Sequence, residues 1–517
     1  MTRSNYIIPA VLFLISFAVY QYHLSGQPWH GDEVTYLGWG GNYFNVLSHG
    51  NLSDPCLLSL DHCKHLFHIP AFGLTYSPLR NLIIGFPMYL SGHDEGNFYN
   101  WSCYWDCYNH LEGPTIQEMT SGRLLSPLFG SLTVAISFLI GKMLFNRNVG
   151  LIASLLLLFY DMWMWYSRTI MVEVHYIFFA LLSCLLLLQA FKTGRIRFSY
   201  FILSGIALGV SLDFKLLAVC FSGLFLSILL FRPCQSQNKI RFGKGYIVRT
   251  IILSFSFFSI ALVGMTAVEP GFYQNPLNEI RLIKSDMDNY NHDVWYIGYP
   301  SISNLQLKST LSLFHFAIFP SFIEELISNP TVNLSNNFGW TYPPTYSSIA
   351  MTVFFFVGLG SMIYRLAKIR EWTSAESMTL IWFVTALFLS LLIVKDFSLE
   401  RYLLPLEISV IYISAYGFFT FLKQVKSKKA KIVLASFFIM VHSATALSFW
   451  DKTYFSPGTT WVNPLHYGTL QQSLDNPYTF WANMSFLLVI FAVTCATRGA
   501  PHLRVVWTKR TLWKLKR

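Results

Sequence analysis

Twelve apolar runs of near-membrane length recur along the 517-residue chain, and no other feature limits its fold as much. They lie at Ile7–Tyr20 and near 124–145, 149–165, 174–191, 199–212, 216–231, 250–268, 347–366, 377–394, 403–422, 432–449 and 481–497. A bilayer core takes roughly 20 helical residues, and within it each backbone polar group must be paired inside the protein. The runs therefore predict an all-α polytopic membrane protein with about 12 transmembrane helices. The shorter runs, such as 199–212, suit helices that are broken at a site or continue past the membrane. Composition agrees: 53% of residues are hydrophobic and 12% charged, against about 25% charged in soluble domains. Disorder, a collagen-like fibre and a small disulfide scaffold are excluded. Ile7–Tyr20 follows a single Arg3 and precedes bulky residues rather than a small-x-small cleavage site, which predicts a retained first span.

Positive charge orients the bundle, because Lys and Arg collect in cytoplasmic loops. With the N-terminus inside, 26 of the 37 Lys and Arg residues fall in cytoplasmic segments. The net charge of +11 thus reads as topology and as a basic tail on the membrane surface, not as a nucleic-acid site. The outer face then carries 23–122, 269–346 and 450–480. Two weaker apolar stretches, Leu79–Leu90 and Leu311–Ile323, are too short to span. They are expected to lie on the outer membrane surface or to re-enter it. Cys56, Cys63, Cys103 and Cys107 share the first outer loop, so at least one disulfide is expected there. A zinc site is the alternative, although the Cys-x6-Cys and Cys-x3-Cys spacings match zinc patterns poorly.

Unusual polar residues gather at the outer ends of spans rather than at midplane. His30-Gly31-Asp32-Glu33 follows the first span. Two adjacent carboxylates there suit a general base and its orienting partner, or simply the start of a helix. Ser167-Arg168 and Glu173-Val174-His175 flank the outer turn before 174–191. A carboxylate at the start of a span is costly unless paired, and an Arg168–Glu173 pair is one reading. Gly205 and Gly209 permit close helix packing ahead of Asp213 and Lys215. Lys215 can hold a phosphate or pair internally. Arg401, before the span at 403–422, can grip a phosphate in bidentate fashion or snorkel to the interface. The sequence holds no Gly-x4-Gly-Lys-Ser/Thr loop and no Gly-x-Gly-x-x-Gly, so no cytoplasmic nucleotide site is expected.

These groups, in this order, resemble the integral-membrane GT-C glycosyltransferases, above all the protein O-mannosyltransferase and lipid A aminoarabinose transferase superfamily. The resemblance rests on Asp32-Glu33, His68-Ile69-Pro70, Tyr76-Ser77-Pro78-Leu79, Ser167-Arg168-x4-Glu173, Gly205-x3-Gly209-x5-Lys215 and Arg401-Tyr402-x-x-Pro405. Glu173 stands where the family usually has Asp, and the long outer loop with its Asp94-Glu95 pair has no clear counterpart. The resemblance implies a GT-C-type bundle with external surface helices. Residues 1–422 would form the catalytic membrane domain, including loops 23–122 and 269–346. Residues 423–517 would add the last helices, loop 450–480 and the tail. It implies an inverting glycosyltransferase that takes a sugar from a polyprenyl-phosphate-linked donor to an acceptor hydroxyl on a glycolipid, glycan or protein. Asp32 and Glu33 would be catalytic, with Lys215, Arg401 and Arg168 on the donor phosphate. Glu173, His68 and His175 would serve the acceptor or a divalent metal, which some family members hold. The competing reading is a polytopic lipid or glycolipid transporter or flippase. A bacterial cytoplasmic membrane with the site facing outward is expected. The alternative is the endoplasmic reticulum, which three Asn-x-Ser patterns do not by themselves establish.

Overall fold

A computed structural model describes residues 4–26, 31–48, 77–92, 114–192, 196–232, 244–268, 281, 349–369, 374–394 and 403–454. The regular elements of the described chain are all helices. Helix α1 covers Ser4–Gln21, α2 Gly31–Ser48, α3 Pro78–Leu90, α4 Ile116–Arg123, α5 Leu125–Leu144 and α6 Arg147–Leu158. Then follow α7 (Asp161–Tyr166), α8 (Glu173–Ala190), α9 (Phe198–Phe214), α10 (Ser222–Phe231) and α11 (Lys244–Val268). The last four are α12 (Ile349–Ile369), α13 (Ala375–Val394), α14 (Leu404–Gln424) and α15 (Lys428–Tyr454).

Local chemistry sets the helix ends. The Thr115 hydroxyl accepts from the Glu118 N–H while the Glu118 carboxylate accepts from the Thr115 N–H, a reciprocal cap that starts α4. Asn146 accepts from the N–H groups of Asn148 and Val149 to start α6 right after α5 ends. Pro78 sits in the first turn of α3, where its missing N–H costs nothing.

Among the described residues five helical segments are long and apolar enough to cross a membrane: Ile116–Leu144, Glu173–Ala190, Gly245–Val268, Met351–Lys368 and Leu404–Gln424. Tyr6–Gln21, Arg147–Leu158, Phe198–Phe214, Leu216–Phe231 and Ala375–Ser390 are shorter apolar helices. The chain is therefore a multi-span, all-α membrane-type protein, and the count of about twelve stays an expectation. The stretch 481–497 and the weak stretch Leu311–Ile323 lie outside the described residues. Leu79–Leu90 does form a helix, α3, whose 13 residues rise about 20 Å, short of the roughly 30 Å hydrocarbon core.

The core joins α5, α7, α8, α14 and the 3-10 turn Leu216–Phe221 through buried Phe138, Trp163, Tyr176, Tyr412 and Phe221. Helix α9 packs between α8 and α11. The approach to α11 depends on Gly209, where a Cβ would lie 2.2 Å from the Ala261 carbonyl oxygen and 2.5 Å from the Met265 nitrogen. Both are backbone atoms, so the clash cannot be relieved by a rotamer change. Gly209→Leu is expected to destabilise the protein by about 1–3 kcal/mol through overpacking. Thermal unfolding of the purified variant in detergent checks this, and an unchanged midpoint would refute the close α9–α11 contact.

Candidate active site

Four polar links meet at one end of the bundle, where α1 and α9 end and α2, α3 and α8 begin. The first involves Glu33, on the opening turn of α2. It is fully buried, and Arg123, at the end of α4, grips it in fork geometry. Nε donates to Oε1 at 2.8 Å and Nη2 to Oε2 at 2.6 Å. The Ile170 N–H also donates to Glu33 Oε1, at 2.7 Å. Removing one partner of such a buried, multiply bonded pair strands a charge away from water.

The second link is Arg168, also buried. Its Nη1 donates to the carbonyls of Val19 (3.2 Å), Tyr20 (2.8 Å) and Tyr22 (2.7 Å), and its Nη2 to that of His23 (3.1 Å). The last carbonyls of a helix lack intrahelical donors and carry partial negative charge, so a guanidinium is well placed there. Arg168 thus caps α1. The expected donor-phosphate contact does not fit this placement, because the guanidinium is buried against four carbonyls. Nor does it form the Arg168–Glu173 pair considered from sequence.

Glu173 pairs instead with Lys215, Nζ to Oε1, at 2.6 Å. Glu173 opens α8, where a carboxylate also meets the positive end of the helix dipole. Lys215 follows α9 directly in an extended conformation. The Glu173 side chain is fully buried while that of Lys215 keeps 16% exposure, so a ligand arriving from outside meets the ammonium first.

In the fourth link, the Ser77 hydroxyl donates to Asp213 Oδ2 at 3.2 Å, which ties the start of α3 to the end of α9. On the first turn of α3, Arg80 lies buried with its guanidinium carbon 5.0 Å from the Tyr36 ring centroid and 5.2 Å from that of Trp39. Its Nε and Nη2 donate to Asn81 Oδ1.

Of the residues expected from sequence, the structure brings Glu33, Arg168, Glu173 and Lys215 to this end of the bundle. Asp32 shares the first turn of α2 with Glu33, and its side chain is outside what is described. Arg401, His68 and the four loop cysteines are also outside the described residues. His175 is not placed as an open ligand. Its Nδ1 pairs with the Met171 carbonyl at 3.1 Å, and its ring packs 4.9 Å from Phe129 and stacks 5.7 Å from Phe214. Among the described residues no three His, Cys, Asp or Glu side chains gather to hold a metal ion. Arg123 and Arg80 were not evident as site residues from sequence, and neither was the Ser77 contact to Asp213.

Residues 115–262 match the family model described as dolichyl-phosphate-mannose-protein mannosyltransferase. The match takes in Arg123, Arg168, Glu173, Asp213 and Lys215, and over that stretch the chain is similar to the membrane transferases the model describes. Among solved structures the chain is similar to the Archaeoglobus fulgidus oligosaccharyltransferase in the apo form, with 13% identity and a TM-score of 0.49. The alignment covers 93% of this chain and 60% of that one. The archaeal oligosaccharyltransferase AglB from Archaeoglobus fulgidus, in complex with an inhibitory peptide and a dolichol-phosphate, gives 13%, 0.46, 88% and 56% for the same measures. ArnT from Cupriavidus metallidurans bound to undecaprenyl phosphate gives 10%, 0.43, 98% and 80%. This chain thus spans about 56–60% of the archaeal enzyme's length, less than two thirds. All three TM-scores are below one half, and similarity of that degree does not define a substrate. No curated protein sequence matches the chain.

Proposed function

We propose that the protein is an inverting membrane glycosyltransferase that moves a sugar from a polyprenyl-phosphate donor to an acceptor hydroxyl at the outer face. The observation that carries this reading is the partly exposed Lys215 ammonium, held by buried Glu173 at the same end of the bundle as the turn bearing Asp32. The description of the matched family, which names a dolichyl-phosphate-linked sugar, supports the donor class. In this scheme Asp32 takes the proton of the acceptor hydroxyl. The oxygen attacks the anomeric carbon from the face opposite the phosphate, and the carbon–oxygen bond to phosphate breaks. Lys215 and Arg401 stabilise the phosphate monoester that leaves. Glu173 is the residue that orients Lys215, and Arg168 anchors α1 beside the site. The acceptor is a glycolipid, glycan or protein hydroxyl, and the membrane is the bacterial cytoplasmic membrane.

Lys215→Ala is expected to weaken binding of undecaprenyl phosphate in nanodiscs by roughly 10- to 100-fold, the scale of a hydrogen bond to a charged group. It should lower transfer as well, because the contact exists before the transition state. Unchanged affinity would remove Lys215 from the donor site.

A further inference from the structure

One short segment joins the two ion pairs. Between α7 and α8, Arg168 caps α1, the Ile170 N–H binds Glu33, and Glu173 binds Lys215. Ile170 and Glu173 are three residues apart, at most about 11 Å along the chain. Glu33 itself is enclosed. Arg123 occupies both its oxygens and it has no exposed surface, so it is poorly placed to meet a substrate. Its neighbour Asp32 lies about 100° further round the same helical turn. A helix start held by a bidentate guanidinium and a backbone N–H has little freedom to rotate or slide. The fork geometry also specifies the arginine, because an ammonium cannot reproduce two parallel bonds.

We propose that Arg123 is a positioning residue for sugar transfer: its fork on Glu33 fixes the first turn of α2 and thereby sets where Asp32 stands. Glu33, expected to be catalytic, becomes the handle by which that turn is held. The proposal rests on the reading of Asp32 as the base.

The test uses the full chain in nanodiscs. Donor and acceptor come from membranes of cells lacking the gene, and single-turnover loss of lipid-linked sugar is followed by mass spectrometry. Arg123→Lys is expected to slow transfer by roughly 10- to 100-fold, the cost of misplacing a reacting group by about an ångström. Its affinity for undecaprenyl phosphate should stay at the wild-type value. Glu33→Gln, which keeps an acceptor for the Ile170 N–H, should behave alike. The deciding variant is Arg123→Lys combined with Asp32→Asn. It should be no slower than Asp32→Asn alone, because a residue acting through Asp32 has nothing left to position. A further loss by the full single-variant factor, or wild-type turnover by both Arg123→Lys and Glu33→Gln, overturns the proposal. Where residual rates are too low to compare, the pH–rate profile decides. Its acid limb shifts if the base has been displaced, and keeps its position under a lower plateau if the pair only supports the fold. Near-normal turnover by Asp32→Asn alone is a separate result, and it sinks the base assignment itself.

Discussion

Asp32→Asn is expected to lower sugar transfer by about 100-fold or more, the usual scale for losing a general base, while leaving the fold and donor affinity near wild type. Asn matches Asp in size and still suits a helix start, so α2 should form as before. The carboxylate's role arises only as the acceptor hydroxyl gives up its proton, so the loss belongs to kcat and not to donor binding. An ordinary carboxyl group, with a pKa of about 4, is a weak base for an alcohol, which makes its placement decisive. Transfer and undecaprenyl phosphate binding measured on one preparation check this. A variant with near-normal turnover would move the base elsewhere, with Glu173 the first alternative.

The largest stability effect should come from the Glu33–Arg123 pair. Arg123→Ala removes both guanidinium bonds from a fully buried carboxylate. Breaking a buried pair from one side costs about 3–5 kcal/mol. For a domain of ordinary stability that is a large fraction of the total. The single replacement should therefore lower the unfolding temperature and the yield sharply. Replacing both residues with a well-matched apolar pair should recover much of that loss, since no charge is then stranded. Recovery of stability without recovery of transfer would separate the pair's two roles. Thermal unfolding of both variants in one detergent makes the comparison, and a small loss in Arg123→Ala would contradict the buried pairing.

Much of this was legible in the chain because membrane helices announce themselves by run length, and outer-end motifs by their order. The 174–191 and 250–268 runs became α8 and α11 within a few residues. The Gly205/Gly209 stripe did mark a close helix contact, with α11 as the partner. What pattern could not give was pairing. Glu33 and Arg123 are ninety positions apart, and Glu173 and Lys215 forty-two, so nothing local says which cation meets which carboxylate. A signal for the missed arginines was nonetheless present. The positive-inside rule leaves eleven Lys and Arg residues on the outer side, among them Arg80, Arg123, Arg168 and Lys215. Each exception needs a reason, and these four prove to be buried or largely buried in contacts at one end of the bundle. Arg168 shows the limit of motif transfer. Its place in Ser167-Arg168-x4-Glu173 suggested a phosphate ligand, whereas the carbonyls at the end of α1 hold it.

The most direct test of the central claim is the lipid-linked sugar pool in cells. Polyprenyl-phosphate sugars and envelope glycoconjugates are compared by mass spectrometry in cells lacking the gene, in cells complemented with the wild-type chain, and in cells complemented with Asp32→Asn. The proposed chemistry predicts that one polyprenyl-phosphate sugar accumulates and one glycoconjugate loses a sugar in the first and third cases, with both restored by the wild-type chain. Identical lipid and glycoconjugate profiles in all three would contradict a transferase acting on such a donor.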